Sequence, residues 1–207
     1  MNDSTILYIH GMGGGSSSRI PSILREYLPG IVVRTYDFNP DEAQKQLRSW
    51  IDELHPVLLV GESLGSVHTL ILHHIYPELP IILVSPALNA PVVLSLFSPL
   101  TWIPGVTALL DRIYKPRPGD RQPLHFTHSV LSRWRPYRAL AVHQEEDINV
   151  HAFVGTRDHY RRSGIVSLHT WHRHFPEGSY TIYEGTHFME ECHVRTILLQ
   201  KILSTMP

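Results

Sequence analysis

The sequence contains little that could cross-link the chain or hold it in a membrane. Its 207 residues include one cysteine, Cys192, so no disulfide can form within the chain, and a single thiol fits a reducing compartment. No apolar run approaches the roughly 20 residues that a transmembrane helix needs. The first residues also carry no basic region of the kind that opens a signal peptide. We therefore expect a cytoplasmic protein without a membrane span.

Charge is also scarce in this chain. Charged residues make up 18% of it, and the formal net charge at pH 7 is -1. Such a balance gives no reason to expect a nucleic acid or an anionic membrane surface as a partner. A hydrophobic content of 43% in a chain of this length is typical of one globular domain with a sizeable core. We expect residues 1–207 to form a single domain.

Histidine, in contrast, is abundant. Protonation of all 15 histidines would raise the formal net charge from -1 to +14, so stability and solubility should change as the pH falls through about 6.5. The two densest groups, at residues 73–74 and 169–174, raise the question of a metal site. No carboxylate or cysteine completes a ligand set there, and the pattern H-E-x-x-H is absent. We predict no metal and no cofactor.

The most informative stretch lies at residues 56–66. A short apolar run there reads as a buried strand, which breaks at the motif Gly-Glu-Ser-Leu-Gly at residues 61–65. An amphipathic helical pattern follows at once. A serine between two glycines, where a strand turns sharply into a helix, exposes its hydroxyl beside the free N–H groups of the helix N-terminus. The context therefore predicts that Ser63 is a nucleophile, with the Leu64 N–H placed to stabilise an oxyanion.

The rest of the chain alternates between apolar strands and helical patterns. This alternation predicts an α/β fold, with a doubly wound, mostly parallel sheet of about six strands and helices on both faces. The predicted strands are Ile6–Ile9, 31–36, 56–60, Ile81–Val84, 150–154 and 180–183. The predicted helices between and after them are 19–28, 41–54 with Asp41 as its cap, 65–76, 163–175 and 189–203.

One segment breaks the alternation, after the fourth strand. Residues 86–149 are rich in proline, apolar clusters and basic side chains, and a connection of this length is usually functional or mobile. We interpret it as a cap or lid over the sheet edge, and an insertion with its own minor core is the alternative. A helix over residues 129–140, interrupted at Pro136, is expected within it.

A glycine-rich loop follows the first strand, at residues 10–18. Its sequence meets neither the dinucleotide-binding pattern, because the third glycine position is Ser16, nor the P-loop pattern. A His-Gly start favours an oxyanion loop instead. We expect His10 to brace this loop through a backbone hydrogen bond rather than to act as a base.

An acid and a histidine follow the last two strands. Asp158 and His187 come after Ser63 in the order nucleophile, acid, histidine, and the carboxyl ends of parallel strands share one sheet edge. Acyl transfer by serine needs a base and a carboxylate that orients the base. Each residue has an alternative role. Asp158 could cap the next helix or pair with Arg161, and in that case Asp147 could be the acid. His187 could be a capping or core histidine.

In these motifs the chain resembles serine hydrolases of the α/β-hydrolase superfamily, in a small, esterase-like form. The resemblance implies that Ser63 is the nucleophile, that His187 is first the general base and then the acid, and that Asp158 orients it. It also implies an oxyanion hole made by the N–H groups of Met12 and Leu64. The motifs that carry it are His-Gly-Met-Gly at residues 10–13, Gly-Glu-Ser-Leu-Gly at 61–65, Gly-Thr-Arg-Asp at 155–158 and Gly-Thr-His at 185–187.

The expected activity is hydrolysis of a carboxylic ester or thioester of a small molecule, through an acyl-enzyme on Ser63. Candidates for the substrate pocket are Gly11, Glu62 and Trp102, although Glu62 could instead pack against the neighbouring loop and Trp102 could be a packing residue. A peptidase or amidase with the same triad, and a non-catalytic ligand-binding protein on the same scaffold, remain alternatives. The oligomeric state is left open.

Overall fold

The computed structural model describes residues 4–115, 118–138, 149–175 and 179–206. Within them, six strands form one sheet in which every hydrogen-bonded pair is parallel. The strands are β1 (Ile6–Ile9), β2 (Ile31–Val33), β3 (Leu58–Glu62), β4 (Ile81–Val84), β5 (Val150–Gly155) and β6 (Ser179–Tyr183). Their order is β2-β1-β3-β4-β5-β6, so the winding direction reverses between β1 and β3. In open parallel sheets, ligands bind at such a reversal, outside the carboxyl ends of the strands.

Helices connect the strands, as the alternating pattern predicts. They are α1 (Arg19–Leu24), α2 (Pro40–Leu54), α3 (Gly65–Ile75), α4 (Ala90–Phe97), α5 (Val106–Ile113), α6 (His128–Arg133), α7 (Leu168–His174), α8 (Glu191–His193) and α9 (Leu199–Thr205). A π-helical segment, Val194–Leu198, joins α8 to α9. Short 3-10 turns cover Ser98–Trp102, Pro136–Arg138 and His159–Arg161.

The two faces of the sheet bury separate cores. Alternate strand residues point to opposite faces, and Ile6 and Tyr8 pack with α1 and the C-terminal helices, whereas Leu7 and Ile9 pack with α2, α3 and α7. All four of these side chains are almost completely buried. Both faces of β1 are therefore covered, which explains why the strand reads as a continuous apolar run.

Several predicted boundaries are wrong. The first helix ends at Leu24 rather than at residue 28. The second strand ends at Val33 rather than at residue 36, because the chain then turns so that the Tyr36 hydroxyl donates to the His10 carbonyl. Asn39 rather than Asp41 caps α2, since its side chain accepts from the Asp41 N–H at 3.2 Å.

Another wrong boundary is the start of the helix predicted over residues 163–175. α7 begins only at Leu168. Gly164 has φ +73°, which does not continue a right-handed helix, and Ser167 caps α7 by accepting from the Thr170 N–H at 3.2 Å.

The segment after β4 packs on the main domain with a cluster of buried apolar side chains. The predicted helix over 129–140 is α6, followed by the turn at Pro136, and its residues 139–140 lie outside the described ranges. Trp134 is fully buried and packs with Leu64 and Val67 at the start of α3. Residues from this segment thus contact the helix that begins beside Ser63.

No helix in the described parts of the chain combines the length and apolarity required to cross a membrane.

The buried histidines give a specific expectation for stability against pH. Burial lowers the pKa of His68 to about 3 and that of His10 to about 4, below the unfolded value of about 6.5. Both rings are therefore neutral in the native state, and the unfolded chain takes up more protons below pH 6.5. Stability present above pH 6.5 should fall by about 1.4 kcal/mol per pH unit for each ring as the pH drops toward 4.

Urea unfolding at pH 7.5 and 5.0 would measure this loss. For His68→Gln we expect a drop between the two pH values that is about 2 kcal/mol smaller than that of the wild type. The control is His74→Gln, because His74 lies on the same helix but is exposed, and it should behave as the wild type does. Equal pH dependence in all three proteins would exclude His68 as a source of acid instability.

Candidate active site

Ser63 lies in a strained turn between β3 and α3. Its φ is +51°, in the left-handed region that costs a non-glycine residue about 1–3 kcal/mol. The turn is held by its backbone: the Ser63 N–H donates to Val84 O at 2.9 Å, and Ser63 O accepts from the N–H groups of Ser66 and Ala87 at 3.1 Å each. The hydroxyl is thereby fixed at the carboxyl end of the sheet.

Gly65 allows α3 to start directly against the end of β1. A methyl group on Gly65 would overlap the carbonyl oxygens of Ile9 and His10. The glycine is therefore needed for the close packing of this helix against the end of β1. This packing brings the glycine-rich loop after β1 next to Ser63.

His187 and Asp158 form a hydrogen-bonded chain with Ser63. His187 Nε2 lies 2.8 Å from Ser63 Oγ, and His187 Nδ1 lies 2.8 Å from Asp158 Oδ2. His187 follows β6 and is 2% exposed, and Asp158 follows β5 and is 4% exposed. Three residues predicted from their order in the sequence are thus brought together at one sheet edge.

Asp158 also caps a turn. Its Oδ1 accepts from the Tyr160 N–H at 2.9 Å, at the start of the 3-10 turn His159–Arg161. The guanidinium of Arg161 donates to the carbonyls of Gly155 and Thr156 instead of to Asp158. Capping and contact with His187 are therefore compatible, since each uses a different carboxylate oxygen.

The contact with Asp158 determines which tautomer the His187 ring adopts. An ionised carboxylate only accepts hydrogen bonds, so Nδ1 of His187 carries the proton and donates to Asp158. Nε2 is then free to accept from the Ser63 hydroxyl. This is the tautomer that a general base requires.

Three rings that the sequence analysis missed surround His187. Tyr160 lies edge-on at 4.6 Å between ring centroids, Phe188 at 5.4 Å and His159 at 5.8 Å. All three lie within two positions of Asp158 or His187 in the chain. Adjacency to these two residues was the signal that could have identified them.

Gly11 lies against the nucleophile. A methyl group on Gly11 would lie 3.0 Å from Ser63 Cβ and 3.6 Å from Ser63 Oγ, so any side chain at this position would crowd Ser63. Met12 is the next residue, in a turn closed by the Gly14 N–H donating to Gly11 O at 2.9 Å. The first turn of α3 uses the N–H groups of Ser66 and Val67 and leaves that of Leu64 for another acceptor.

His10 braces the glycine-rich loop, as predicted. Its Nδ1 lies 2.8 Å from Gly11 O, and its ring stacks on Tyr36 at 4.2 Å. Gln122, which the sequence analysis missed, holds the same loop at Gly13 and Gly14. Its side-chain Oε1 accepts from the Gly13 N–H at 3.0 Å, and its backbone N–H donates to Gly14 O at 2.6 Å. Gln122 is 1% exposed. Its two hydrogen bonds join the segment after β4 to this loop.

Glu62 packs against a strand rather than a loop. Its Oε2 accepts from the Tyr8 hydroxyl of β1 at 2.7 Å. Burial raises the pKa of the Glu62 carboxyl, an effect opposed by the Tyr8 hydrogen bond and by His187 whenever that ring is protonated. The carboxyl therefore lies within electrostatic reach of the histidine without belonging to its hydrogen-bonded chain.

Two of the remaining candidates, Trp102 and His73, have their contacts in other parts of the chain. Trp102 is in the 3-10 turn Ser98–Trp102, and its ring contacts His128 at 4.4 Å, not the rings around His187. Asp147, the rival acid, lies outside the described residues. His73 Nδ1 lies 2.7 Å from Leu79 O. Among described residues, no group of three or more histidine, cysteine, aspartate or glutamate side chains could hold a metal ion.

Comparison with solved structures identifies the α/β-hydrolase fold. A monoacylglycerol lipase from Paleococcus ferrophilus superposes with a TM-score of 0.68 at 18% identity, covering 98% of this chain and 96% of its own. The mouse alpha/beta hydrolase domain-containing protein 10 gives 0.63 at 16% identity, with 97% and 88% covered. The thioesterase domain from the curacin biosynthetic pathway gives 0.63 at 15% identity, with 97% and 91% covered.

At the level of sequence, no family model matches the chain, and no curated protein matches it. The predicted fold is thus confirmed by structure alone.

Proposed function

We propose that the protein is a serine hydrolase that cleaves carboxylic esters or thioesters through an acyl-enzyme on Ser63. The observation that carries the proposal is the continuous chain from Ser63 Oγ through His187 to Asp158, with both distances at 2.8 Å. Nearly complete burial of His187 and Asp158 supports it, because exclusion of water strengthens such hydrogen bonds.

In the first half of the reaction, Ser63 Oγ attacks the acyl carbon while His187 Nε2 takes the hydroxyl proton. The imidazolium that forms is stabilised by the Asp158 carboxylate. Negative charge develops on the carbonyl oxygen, and the N–H groups of Leu64 and Met12 are the proposed donors to it. When the tetrahedral intermediate collapses, the alcohol or thiol leaves with the proton from Nε2.

In the second half, water replaces the leaving group. His187 Nε2 takes a proton from water, whose oxygen attacks the acyl carbon. Collapse of the second intermediate returns the proton to Ser63 Oγ and releases the acid. The net reaction is the addition of water to an ester or thioester, which gives a carboxylic acid and an alcohol or thiol, and it needs no cofactor.

The segment after β4 is proposed to act as the cap of this site. Leu64 and Met12 pack in the same cluster as Trp134 of that segment, and Gln122 holds the glycine-rich loop. These contacts place residues of the segment beside both proposed oxyanion donors. The cytoplasm is the proposed compartment, because the exposed, free thiol of Cys192 suits reducing surroundings.

A fluorophosphonate probe tests the nucleophile directly. We expect covalent labelling of the wild type, with the adduct on the peptide that contains Ser63, since the probe reacts with a serine activated by its histidine. For His187→Gln we expect labelling at least about 100-fold slower, because no base then accepts the hydroxyl proton. The readout is intact-protein mass spectrometry followed by peptide mapping.

The matched control is Ser17→Ala, which removes an exposed serine of the glycine-rich loop and should label at the wild-type rate. An adduct on another serine, or equal labelling of His187→Gln, would remove the basis of the proposal. A panel of esters, thioesters and amides of graded acyl length would then define the bond and the chain length that are preferred.

A further inference from the structure

A group of large apolar side chains is exposed on one continuous part of the chain, from the end of α4 to the end of α5. Trp102 is 72% exposed and Ile113 63%. The helices and the turn of this region pack against one another in succession. We call it the apolar surface, and it consists of Leu96, Phe97, Leu100, Trp102, Ile103, Leu109, Ile113 and Tyr114.

α5 is apolar on two sides. Leu110 packs against the cluster that contains Trp134, whereas Leu109 and Ile113, four residues apart and so on one helical face, are exposed. No residue of α5 is buried. Within the described ranges, then, nothing covers this face, and exposed apolar patches of this kind usually mark an interaction site.

Basic residues adjoin the apolar surface. Residues 112–138 hold seven of the 18 lysines and arginines of the chain but one of its 19 acidic residues. Arg112 and Lys115 lie at the end of α5, and both are exposed. The net charge of -1 therefore hides an asymmetry along the chain. At the end of α5 the exposed side chains of Arg112 and Lys115 outnumber the one exposed acid there, Asp111.

The apolar surface reaches the candidate active site. Tyr114, at its end, is close enough to Tyr160 to contribute to the raised pKa of the Tyr160 phenol, for which burial is the larger cause. The Tyr160 ring packs on His187. Phe188, next to His187, is 58% exposed, and its ring contacts that of His187.

We propose that the apolar surface docks on an anionic lipid surface. Trp102, Leu109 and Ile113 enter the boundary between head groups and acyl chains, while Arg112 and Lys115 contact lipid phosphates. Aromatic and aliphatic side chains on one face, with lysine and arginine beside them, are the features of helices that lie in a lipid interface. Docking does not depend on catalysis by Ser63, and it brings Tyr114, a member of the apolar surface, to the lipid.

Charge favours lipid over a second copy of this chain. A symmetric dimer through the apolar surface would place the same patch on both subunits, so that two patches would meet in each of which Arg112 and Lys115 outnumber Asp111. Like charges in a contact oppose association. Anionic head groups instead neutralise them.

Vesicle flotation of the full chain tests the proposal. The vesicles are phosphatidylcholine alone, or an equal mixture of phosphatidylcholine and phosphatidylglycerol. We expect the wild type to float with the mixed vesicles, and the double variant Arg112→Gln/Lys115→Gln to lose about fivefold in partition for each charge removed. The double variant Leu109→Ser/Ile113→Ser should lose at least about tenfold.

Two controls separate docking from misfolding and from self-association. Leu203→Ser removes an exposed leucine of α9 and should float like the wild type, and thermal unfolding should be unchanged in all variants.

The emission of Trp102 should shift to shorter wavelength on addition of mixed vesicles, and this shift should be absent in Trp102→Phe. Failure of the wild type to float, or equal flotation of the Leu109/Ile113 variant, overturns the proposal. A concentration-dependent dimer that shifts Trp102 emission without vesicles, and is broken by Leu109→Ser/Ile113→Ser, identifies a second copy as the occupant instead.

Discussion

Ser63→Ala is expected to lower kcat for ester hydrolysis by about 10⁴- to 10⁶-fold. The variant removes the atom that would attack the acyl carbon, while His187, Asp158 and the proposed oxyanion donors stay in place. Water can then react only by direct attack, without an acyl-enzyme. The measurement is the steady-state rate with an activated ester such as a p-nitrophenyl ester, together with the pre-steady-state burst, which should vanish.

The fold of this variant should be kept. In the described structure the Ser63 hydroxyl contacts His187, and the strained turn is held by backbone bonds that alanine retains. Ser17→Ala, in the neighbouring loop, should retain the wild-type rate. Hydrolysis by Ser63→Ala at more than about one tenth of the wild-type rate would contradict a serine mechanism.

Asp158→Asn is expected to lower kcat by about 10⁴-fold. The amide nitrogen would face His187 Nδ1 and donate to it, which favours the tautomer with the proton on Nε2. That proton would point at Ser63 Oγ, so the ring could not accept the hydroxyl proton. KM should change far less than kcat, because Asp158 does not reach the substrate.

Asparagine is the clean substitution at this position. Its carbonyl oxygen can still accept from the Tyr160 N–H, as Asp158 Oδ1 does at 2.9 Å, whereas alanine would remove the cap of the turn as well. The control is Asp111→Asn, at an exposed acid of α5, which should leave kcat unchanged. A wild-type rate for Asp158→Asn, with an unaltered unfolding temperature, would assign the orienting role to another acid, of which Asp147 is the first to test.

Much of the fold followed from local pattern. Ile6–Ile9 and Ile81–Val84 were predicted at their observed bounds, because strands buried on both faces are apolar at every position. The motif at residues 61–65 likewise carries its own geometry, since the glycines are needed wherever strand and helix pack this closely. The boundaries that failed depend on weaker cues, such as Gly164 and Ser167 ahead of α7.

Several contacts at the candidate site had no local cue. Gln122 bonds the Gly13 N–H across 109 positions of the chain, and Tyr8 bonds Glu62 across 54. Neither residue belongs to a motif. Their roles exist only because the sheet order puts β1 beside β3, and because the segment after β4 folds back over the loop that follows β1.

The sequence by itself determined the alternation of strands and helices, the turn at Ser63, and the order in which Ser63, Asp158 and His187 follow one another. The first two depend on residue types and on spacings between near neighbours, and the third is simply the order of residues along the chain. Only the tertiary structure decided that Ser63, His187 and Asp158 meet within hydrogen-bond distance, and that Trp102 and Ile113 are exposed beside basic residues. Such features arise where distant segments pack, because burial and distance are properties of the folded surface and not of any one stretch of sequence.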